Sequence, residues 1–142
     1  MKTILFIFMA LAASAVCAQH KLTIVVDGIE KTEGVILVAV YDSTCFLEKY
    51  VYGGIARVEG EEATVIVEGV EPGEYAVSVM HDENGNNKLD TGTFGIPTEK
   101  TGFSNNARGQ MGPPSFKDCM FKLESDSVIY ITLWKYMPPG TE

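Results

Sequence analysis

The sequence predicts an all-β domain, an antiparallel β-sandwich of immunoglobulin-like or transthyretin-like type with about seven strands and one long ordered loop. Apolar and polar residues alternate with a period of two through most of the chain, as expected of half-buried strands. The alternating segments are short and are separated by turns rich in Gly, Asp and Pro, which is typical of sandwiches. Helical periodicity is absent, apart from one turn expected near residues 44–49.

The first half of the chain predicts four strands. Residues 22–26 alternate and end at an Asp-Gly turn, whereas residues 35–41 form an almost continuous apolar run, which is typical of a central strand. Residues 50–59 surround two adjacent glycines, so we expect an irregular or bulged strand there. The fourth strand alternates over residues 63–67 and turns its apolar side chains inward.

The second half predicts three more strands. An EPG turn leads into alternating residues 75–79, with Tyr75, Val77 and Val79 inward. After a long interruption, residues 119–123 alternate and direct Cys119 toward the core, and a Ser-Asp turn leads into a last strand over 129–133. The chain has no linker, internal repeat or low-complexity tract, which favours one domain.

The first eighteen residues are predicted to be a secretory signal peptide. A lysine precedes an apolar run over residues 4–16, and the string VCA at 16–18 supplies a small-residue cleavage site. The run is shorter than the roughly 20 residues of a membrane-spanning helix, and we expect no transmembrane segment in the mature protein. Residues 1–18 are therefore assigned to the signal and residues 19–142 to a single secreted or periplasmic β-sandwich domain. A lipoprotein anchored through Cys17 is the less favoured alternative, because the usual Leu before that cysteine is missing.

The net charge predicts that nucleic acid is not a partner. The chain has 11 Lys plus Arg against 19 Asp plus Glu, and removing the signal takes away one lysine and changes the net charge from -8 to -9. A field of that sign repels phosphate backbones. Two cysteines remain, Cys45 and Cys119; an oxidising compartment permits a disulfide between them, and two separate thiols are an equally acceptable interpretation.

More than thirty residues between the fifth and sixth predicted strands show almost no strand pattern. Loops longer than about 12 to 15 residues are uncommon and are usually functional or disordered. This segment carries more apolar side chains than a disordered one would: Leu89, Phe94, Ile96, Phe103, Met111 and Phe116. We therefore expect an ordered loop whose backbone has partners.

The loop begins with a pattern similar to that of an EF-hand calcium loop. Asp82, Asn84, Asn86 and Asp90 occupy positions 1, 3, 5 and 9 of that pattern, and the carbonyl of Lys88 occupies position 7. Alternate residues turn their oxygens toward one centre. Two carboxylates and other hard oxygen donors suit Ca²⁺ better than Mg²⁺, which demands stricter octahedral geometry.

Departures from the EF-hand pattern leave a second interpretation open. Position 6 has Asn87 in place of Gly, a mild change because Asn tolerates the left-handed conformation. Position 12 has Thr93 in place of a bidentate Glu, and Glu83 or Glu99 would have to replace it. The flanking helices are missing as well. The alternative is an Asn-, Asp- and Gly-rich turn whose side chains bond only its own backbone.

His81 and Arg108 are the candidate binding residues. His81 is in phase with the inward residues of its strand, so we expect it to cap the core edge and bond the long loop, with Asp82 on the opposite face. Arg108 could bind a carboxylate or sulfate through both branches of its guanidinium, but we favour an ion pair with an acid of the loop. Zinc-ligand spacings and phosphate-binding loops are absent from the sequence, which disfavours an enzyme.

Four aromatic residues could form a platform for a sugar or a peptide, although packing is the favoured role for aromatic residues on strands. They are Tyr50, Tyr52, Trp134 and Tyr136.

Three strings follow one another in the chain: GVEPGEYAVSVM, HDENGNNKLD and FGIPTEKTGFSNNARGQMGPPSF. They resemble a domain-of-unknown-function family of small exported bacterial proteins, whose members share HDENGNGKLD, GIPxEGxGFSNN and GPPSF-like strings in this order. The resemblance runs from Leu22 to Leu133, with departures at Asn87 and at Lys100-Thr101. It implies an exported β-sandwich with no established activity, and it supplies no substrate.

The resulting hypothesis is an exported binding or structural module, its long loop stabilised by Ca²⁺ and its partner an envelope or extracellular ligand that the sequence does not identify. One alternative is a secreted enzyme with a site around His81 and Arg108. The other is a metal-free structural component of the envelope.

Overall fold

Residues 17–137 are described by a computed structural model, so residues 1–16 of the predicted signal peptide lie outside the described residues. The strands are β1 His20–Asp27, β2 Val35–Tyr41, β3 Tyr52–Arg57, β4 Ala63–Val70, β5 Gly73–Asp82, β6 Thr101–Phe103, β7 Phe121–Leu123 and β8 Ser127–Thr132. One short helix, α1, spans Phe116–Cys119. No helix within residues 17–137 is long and apolar enough to cross a membrane.

The strands form two sheets, which confirms the all-β sandwich; the immunoglobulin-like or transthyretin-like assignment stays a prediction. One sheet has the order β4-β1-β8 and the other has the order β3-β2-β5-β6, with β7 also paired to β5. The pairs are antiparallel, as predicted, except for β1 with β8, which run parallel. A parallel pair needs a long connection, and here nearly the whole domain lies between the two strands.

The core lies between the inner faces of the two sheets, on the residues that alternation predicts. The inward side chains of β1, β4 and β5 are buried: Leu22, Ile24, Val26, Ala63, Val65, Val67, Tyr75, Val77 and Val79. β3 pairs with β2 without a shift in register, so the predicted bulge is wrong. A Cβ at Gly54 would come within 2.5 Å of Val65 on the facing strand, and the glycine therefore serves close sheet packing.

A second, smaller apolar cluster holds the end of the long loop against β5. Ala76, Phe103 and Cys119 form it, and Phe46 and Phe116 pack at its edge with ring centroids 5.7 Å apart. Cys119 is buried as predicted, but it lies in α1 and not in a strand. Cys45 and Cys119 are separate thiols in this structure.

Ser104 and Ser115 provide polar anchors beside the smaller cluster. The Ser104 hydroxyl is buried, accepts the Val77 N–H at 2.9 Å and donates to the Cys119 carbonyl at 2.6 Å. Ser115 caps α1 in a reciprocal pair with Asp118. The two serines thus satisfy backbone groups that the loop would otherwise leave unpaired.

The outer face of the larger sheet is also apolar. In β2, Leu37 and Ala39 alternate with the core residues and are half-buried on this outer face, and Tyr41 beyond them is buried. The segment that connects β5 to α1 borders the same face across a cleft. One face of β2 is therefore buried and the other half-buried, which explains why its apolar run is continuous.

Candidate functional site

The long loop turns around the carboxylate of Asp82, the last residue of β5. This side chain is fully buried. Its Oδ1 accepts the backbone N–H groups of Gly85 at 2.8 Å and Asn86 at 3.2 Å, and its Oδ2 accepts that of Asn87 at 2.7 Å. Asn87 has a φ of 57°, the left-handed conformation that Asn tolerates in place of Gly. One carboxylate therefore organises the turn.

A second buried carboxylate, Glu99, closes the loop at its base. Only 5% of Glu99 is exposed. Its Oε1 accepts the Glu83 N–H at 3.2 Å, and its Oε2 accepts the Asp90 N–H at 3.1 Å, so it joins the two ends of the turn. The sequence offered Glu83 and Glu99 as alternative replacements for the missing ligand at position 12. It could not choose between them, because Glu99 lies nine residues after Asp90 and no local pattern shows that the chain folds back to the turn there.

The remaining predicted ligand side chains are hydrogen-bonded to one another, and the Asn86 N–H joins them to Asp82. The side-chain amide of Asn84 donates to Oδ2 of Asp90, and that of Asn86 donates to Oδ1 of Asp90 at 2.8 Å. The side-chain oxygen of Asn84 accepts the Asn86 N–H, and that of Asn86 accepts the Lys88 N–H. Lys88 contributes its N–H, and its carbonyl accepts no hydrogen bond from residues 17–137. The network brings Asp82, Asn84, Asn86 and Asp90 together, and its hydrogen bonds also match the turn alternative.

The charge of this cluster is unbalanced. The ion pairs among residues 17–137 are His20 with Asp126, Lys31 with Glu83, and Lys100 with Glu30, and none of them includes Asp82, Asp90 or Glu99. A buried carboxylate without a cation is costly even when backbone N–H groups bind it. In the same described range, no group of three or more His, Cys, Asp or Glu side chains is arranged to hold a metal, so a cation here would also need amide and carbonyl oxygens.

His81 lies inside the core edge, as predicted, but its side chain binds a different segment from the one expected. The imidazole is fully buried, and its Nε2 lies 2.8 Å from the carbonyl oxygen of Glu33 in the connection between β1 and β2. Only the His81 main chain reaches the long loop, through the Lys100 carbonyl at 3.0 Å. Gly34 has a φ of 79°, and a Cβ there would overlap the Asp82 carbonyl, so glycine is needed for this contact.

Two ion pairs also join the connection between β1 and β2 to the base of the long loop. Lys100 donates to the Gly28 carbonyl at 2.9 Å and pairs with Glu30 at 2.7 Å, which lowers the pKa of the Glu30 carboxyl. Lys31 pairs with Glu83, which raises the pKa of the lysine. Both ends of the turn are therefore tied to the same neighbouring segment.

Arg108 is exposed and stacks on an aromatic ring. Its guanidinium carbon lies 5.1 Å from the centroid of Trp134, which packs at 5.9 Å against Tyr136. The expected ion pair with a loop acid is wrong, since no carboxylate of residues 17–137 lies within pairing distance of Arg108; a cation–π contact replaces it. No hydrogen bond or ion pair in this range joins Arg108 to the buried His81.

A cleft of about 1140 Å³ lies between the outer face of the larger sheet and the long loop. Leu37, Ile55 and Met80 lie on its floor, and the loop forms one wall through residues that include Leu89 and Phe94. No lining residue is charged. Sequence reasoning missed this cleft, although the continuous apolar run of β2 and the apolar residues of the loop were its signals.

Three of the four aromatic platform candidates line the cleft: Tyr50, Trp134 and Tyr136. Tyr52 packs elsewhere, with its ring centroid 5.9 Å from that of Tyr75.

The fold and the site define a small two-sheet β domain with a carboxylate-centred loop and an uncharged cleft on one sheet face. A family model described as an uncharacterized protein conserved in bacteria (DUF2141) matches residues 24–130, and the chain belongs to this family. The match agrees with the resemblance drawn from the three strings at the level of a bacterial family of unknown function. No curated protein and no solved structure matches the chain.

Proposed function

We propose that this domain is an exported binding module whose long loop is stabilised by Ca²⁺. The ligands are Asp82, Asn84, Asn86, Asp90 and the carbonyl of Lys88, with Glu99 supplying the charge that position 12 lacks. The observation that carries the proposal is the pair of buried carboxylates, Asp82 and Glu99, that have no cationic side chain within ion-pairing distance. A divalent cation would neutralise the negative charge that this loop concentrates.

Ca²⁺ fits the oxygen types better than other metals do. Carboxylate, amide and carbonyl oxygens on a flexible turn are ligands of Ca²⁺, whereas Zn²⁺ sites use Cys and His. His81 is held by a backbone carbonyl and Cys119 lies in the separate cluster around Ala76. We expect a dissociation constant of about 10⁻⁴ to 10⁻³ M, as in extracellular calcium modules.

Export is supported by the N-terminal signal pattern and by the resemblance to exported proteins. The test is fractionation of the producing cell, with the N-terminus of the recovered protein determined by mass spectrometry. A chain that begins at Gln19 in the periplasm or the medium is the expected result. A cytoplasmic chain that keeps Met1 would contradict export.

Thermal unfolding of the exported chain in CaCl₂ and in EDTA tests the metal. At Ca²⁺ concentrations of 10 to 100 times Kd, linkage stabilises the folded state by about 1.4 to 2.7 kcal/mol. For a domain of this size the melting temperature should rise by roughly 5 to 10 °C. MgCl₂ at the same concentration should have a smaller effect.

Variants make the metal test specific. Asp90→Asn removes a partly exposed carboxylate and should abolish the calcium response. It should also lower stability in EDTA by about 1 kcal/mol, because one of the two side-chain amides that donate to Asp90 loses its acceptor. The exposed control Asp126→Asn should keep the full response. A melting temperature that responds neither to several millimolar calcium nor to EDTA would overturn the metal site and favour the metal-free structural alternative.

A further inference from the structure

We propose that the cleft binds the hydrocarbon chain of an uncharged lipid. This inference rests on the proposed function as a binding module and specifies the class of ligand. The cleft volume of about 1140 Å³ slightly exceeds the usual range of ligand sites, about 300 to 1,000 Å³. The cleft therefore has room for a long ligand.

The lining selects against charge. Within residues 17–137, no Asp, Glu, Lys, Arg or His side chain lines the cleft. A charged group buried on the floor, away from the exposed Arg108 beside Trp134, would lose its hydration without gaining a counter-ion. The buried part of the ligand is consequently uncharged.

The floor selects against a peptide or a sugar. Its centre is β2, whose backbone groups are already used in the ladders to β3 on one side and β5 on the other. The Ser78 hydroxyl on the floor lies 3.3 Å from the Tyr41 hydroxyl and is hydrogen-bonded to it. On this floor, amides or sugar hydroxyls would find few partners, which is costly, whereas a hydrocarbon chain has no groups to satisfy. The polar groups that line the cleft without a partner among residues 17–137, such as the Trp134 indole N–H, lie at its wall.

The mouth of the cleft presents large apolar side chains to solvent. Phe94 is 96% exposed and Met111 is 93% exposed, and both line the cleft from the long loop. Exposed apolar surface that adjoins an apolar cleft marks a binding site. A hydrocarbon chain on the floor would give both side chains an apolar surface to cover.

The test is displacement of the fluorescent probe N-phenyl-1-naphthylamine by monoacylglycerols of four to sixteen carbons, at monomeric concentrations and with saturating calcium. The affinity should rise about threefold to fourfold for each added methylene until the cleft is full. Glycerol should not displace the probe. Equal affinity for all chain lengths, or no displacement by any of them, would overturn the inference.

Charged variants locate the binding. Met80→Glu on the floor and Phe94→Glu at the mouth should each weaken the longest chain at least tenfold, and Phe94→Glu leaves packing intact because the ring is exposed. The matched control is Ile66→Glu, since Ile66 is 54% exposed on the other sheet, and its affinity should be unchanged. An equal loss in the Ile66 variant would place binding outside the cleft and overturn the inference.

Two further outcomes separate this inference from the proposed function. Displacement by an acetylated apolar peptide but not by monoacylglycerols would assign the cleft to a peptide and overturn the lipid inference, while leaving a binding module. A calcium-dependent melting temperature without chain-length-dependent binding overturns this inference alone. Chain-length-dependent binding without any calcium response overturns the metal site alone.

Discussion

Asp82→Asn is the substitution that most directly tests how the long loop is built. It keeps the shape of a fully buried side chain and removes its charge. The carboxylate accepts three backbone N–H groups, two on one oxygen and one, from Asn87, on the other. An amide keeps one oxygen for the first two and presents NH₂ to the third, so that two donors face each other.

The expected cost follows from these contacts. A hydrogen bond to a charged group contributes about 1.5 to 3 kcal/mol, and a buried donor left unpaired costs about 1 to 3 kcal/mol. One bond is lost and two are weakened, while repulsion from the nearby acids is relieved. We therefore expect the free energy of unfolding in EDTA to fall by about 2 to 4 kcal/mol. In calcium the difference should widen by the binding free energy that the variant loses.

The assay is urea denaturation followed by the fluorescence of Trp134, the single tryptophan of the chain. The slope with urea should stay the same, because both proteins expose the same surface on unfolding. Asp27→Asn is the control, since Asp27 is exposed at the end of β1, and it should change stability by less than about 0.5 kcal/mol. A loss below about 1 kcal/mol for Asp82→Asn would show that relieved charge repulsion offsets most of the lost N–H contacts, and a gain would show that it outweighs them; either result would refute the expected cost.

Three further predictions concern packing and thiol chemistry. Ser104→Ala should lower the free energy of unfolding by roughly 2 to 4 kcal/mol, because a buried N–H and a buried carbonyl lose their partner; a smaller loss would mean that water replaces the hydroxyl. Gly54→Ala should cost about 1 to 3 kcal/mol from sheet overlap, whereas Gly60→Ala, with nothing within 4 Å, should be neutral, and equal effects would refute the packing argument. Burial raises the pKa of Cys119 to about 11, so iodoacetamide at pH 8 should modify Cys45 far faster in the folded protein, as measured by mass spectrometry; comparable rates would contradict it.

Alternation predicted the faces of β1, β4 and β5 correctly because a period of two is set by strand geometry itself. β6 was missed for the opposite reason. Its three residues, Thr101–Phe103, are too few to show a period, and the strand exists because β5 and the backbone of Trp134 supply its hydrogen bonds. α1 is also short, with four residues, and its capping box depends on a single serine and a single aspartate.

In the candidate site, too, the contacts set by local sequence were predicted and the contacts set by tertiary packing were not. The spacing from Asp82 to Asp90 predicted which side chains meet, because a tight turn brings alternate residues together locally. Glu99 and the contact between His81 and Glu33 depend on segments brought together by tertiary packing, which no local pattern records. The continuous apolar run of β2 did carry information about the cleft, because it predicted that both faces of this strand are shielded from water. The long loop was the apolar segment that had not been assigned to a strand, so it was the candidate to lie over the outer face.

The turn and the cleft share residues, which leads to a prediction about coupling. Asn87 donates its N–H to Asp82, and Asn87 and Leu89 both line the cleft. A cation that orders the turn therefore also orders the part of the cleft wall formed by residues 87–89. In the same way, a hydrocarbon chain bound against that wall would favour the conformation of the turn that binds calcium. By linkage the two effects must be equal, so calcium should tighten monoacylglycerol binding by the same factor by which monoacylglycerol tightens calcium binding. Titrating each ligand with and without the other measures both factors, and a factor of one in both directions would show that residues 87–89 are rigid before either ligand arrives.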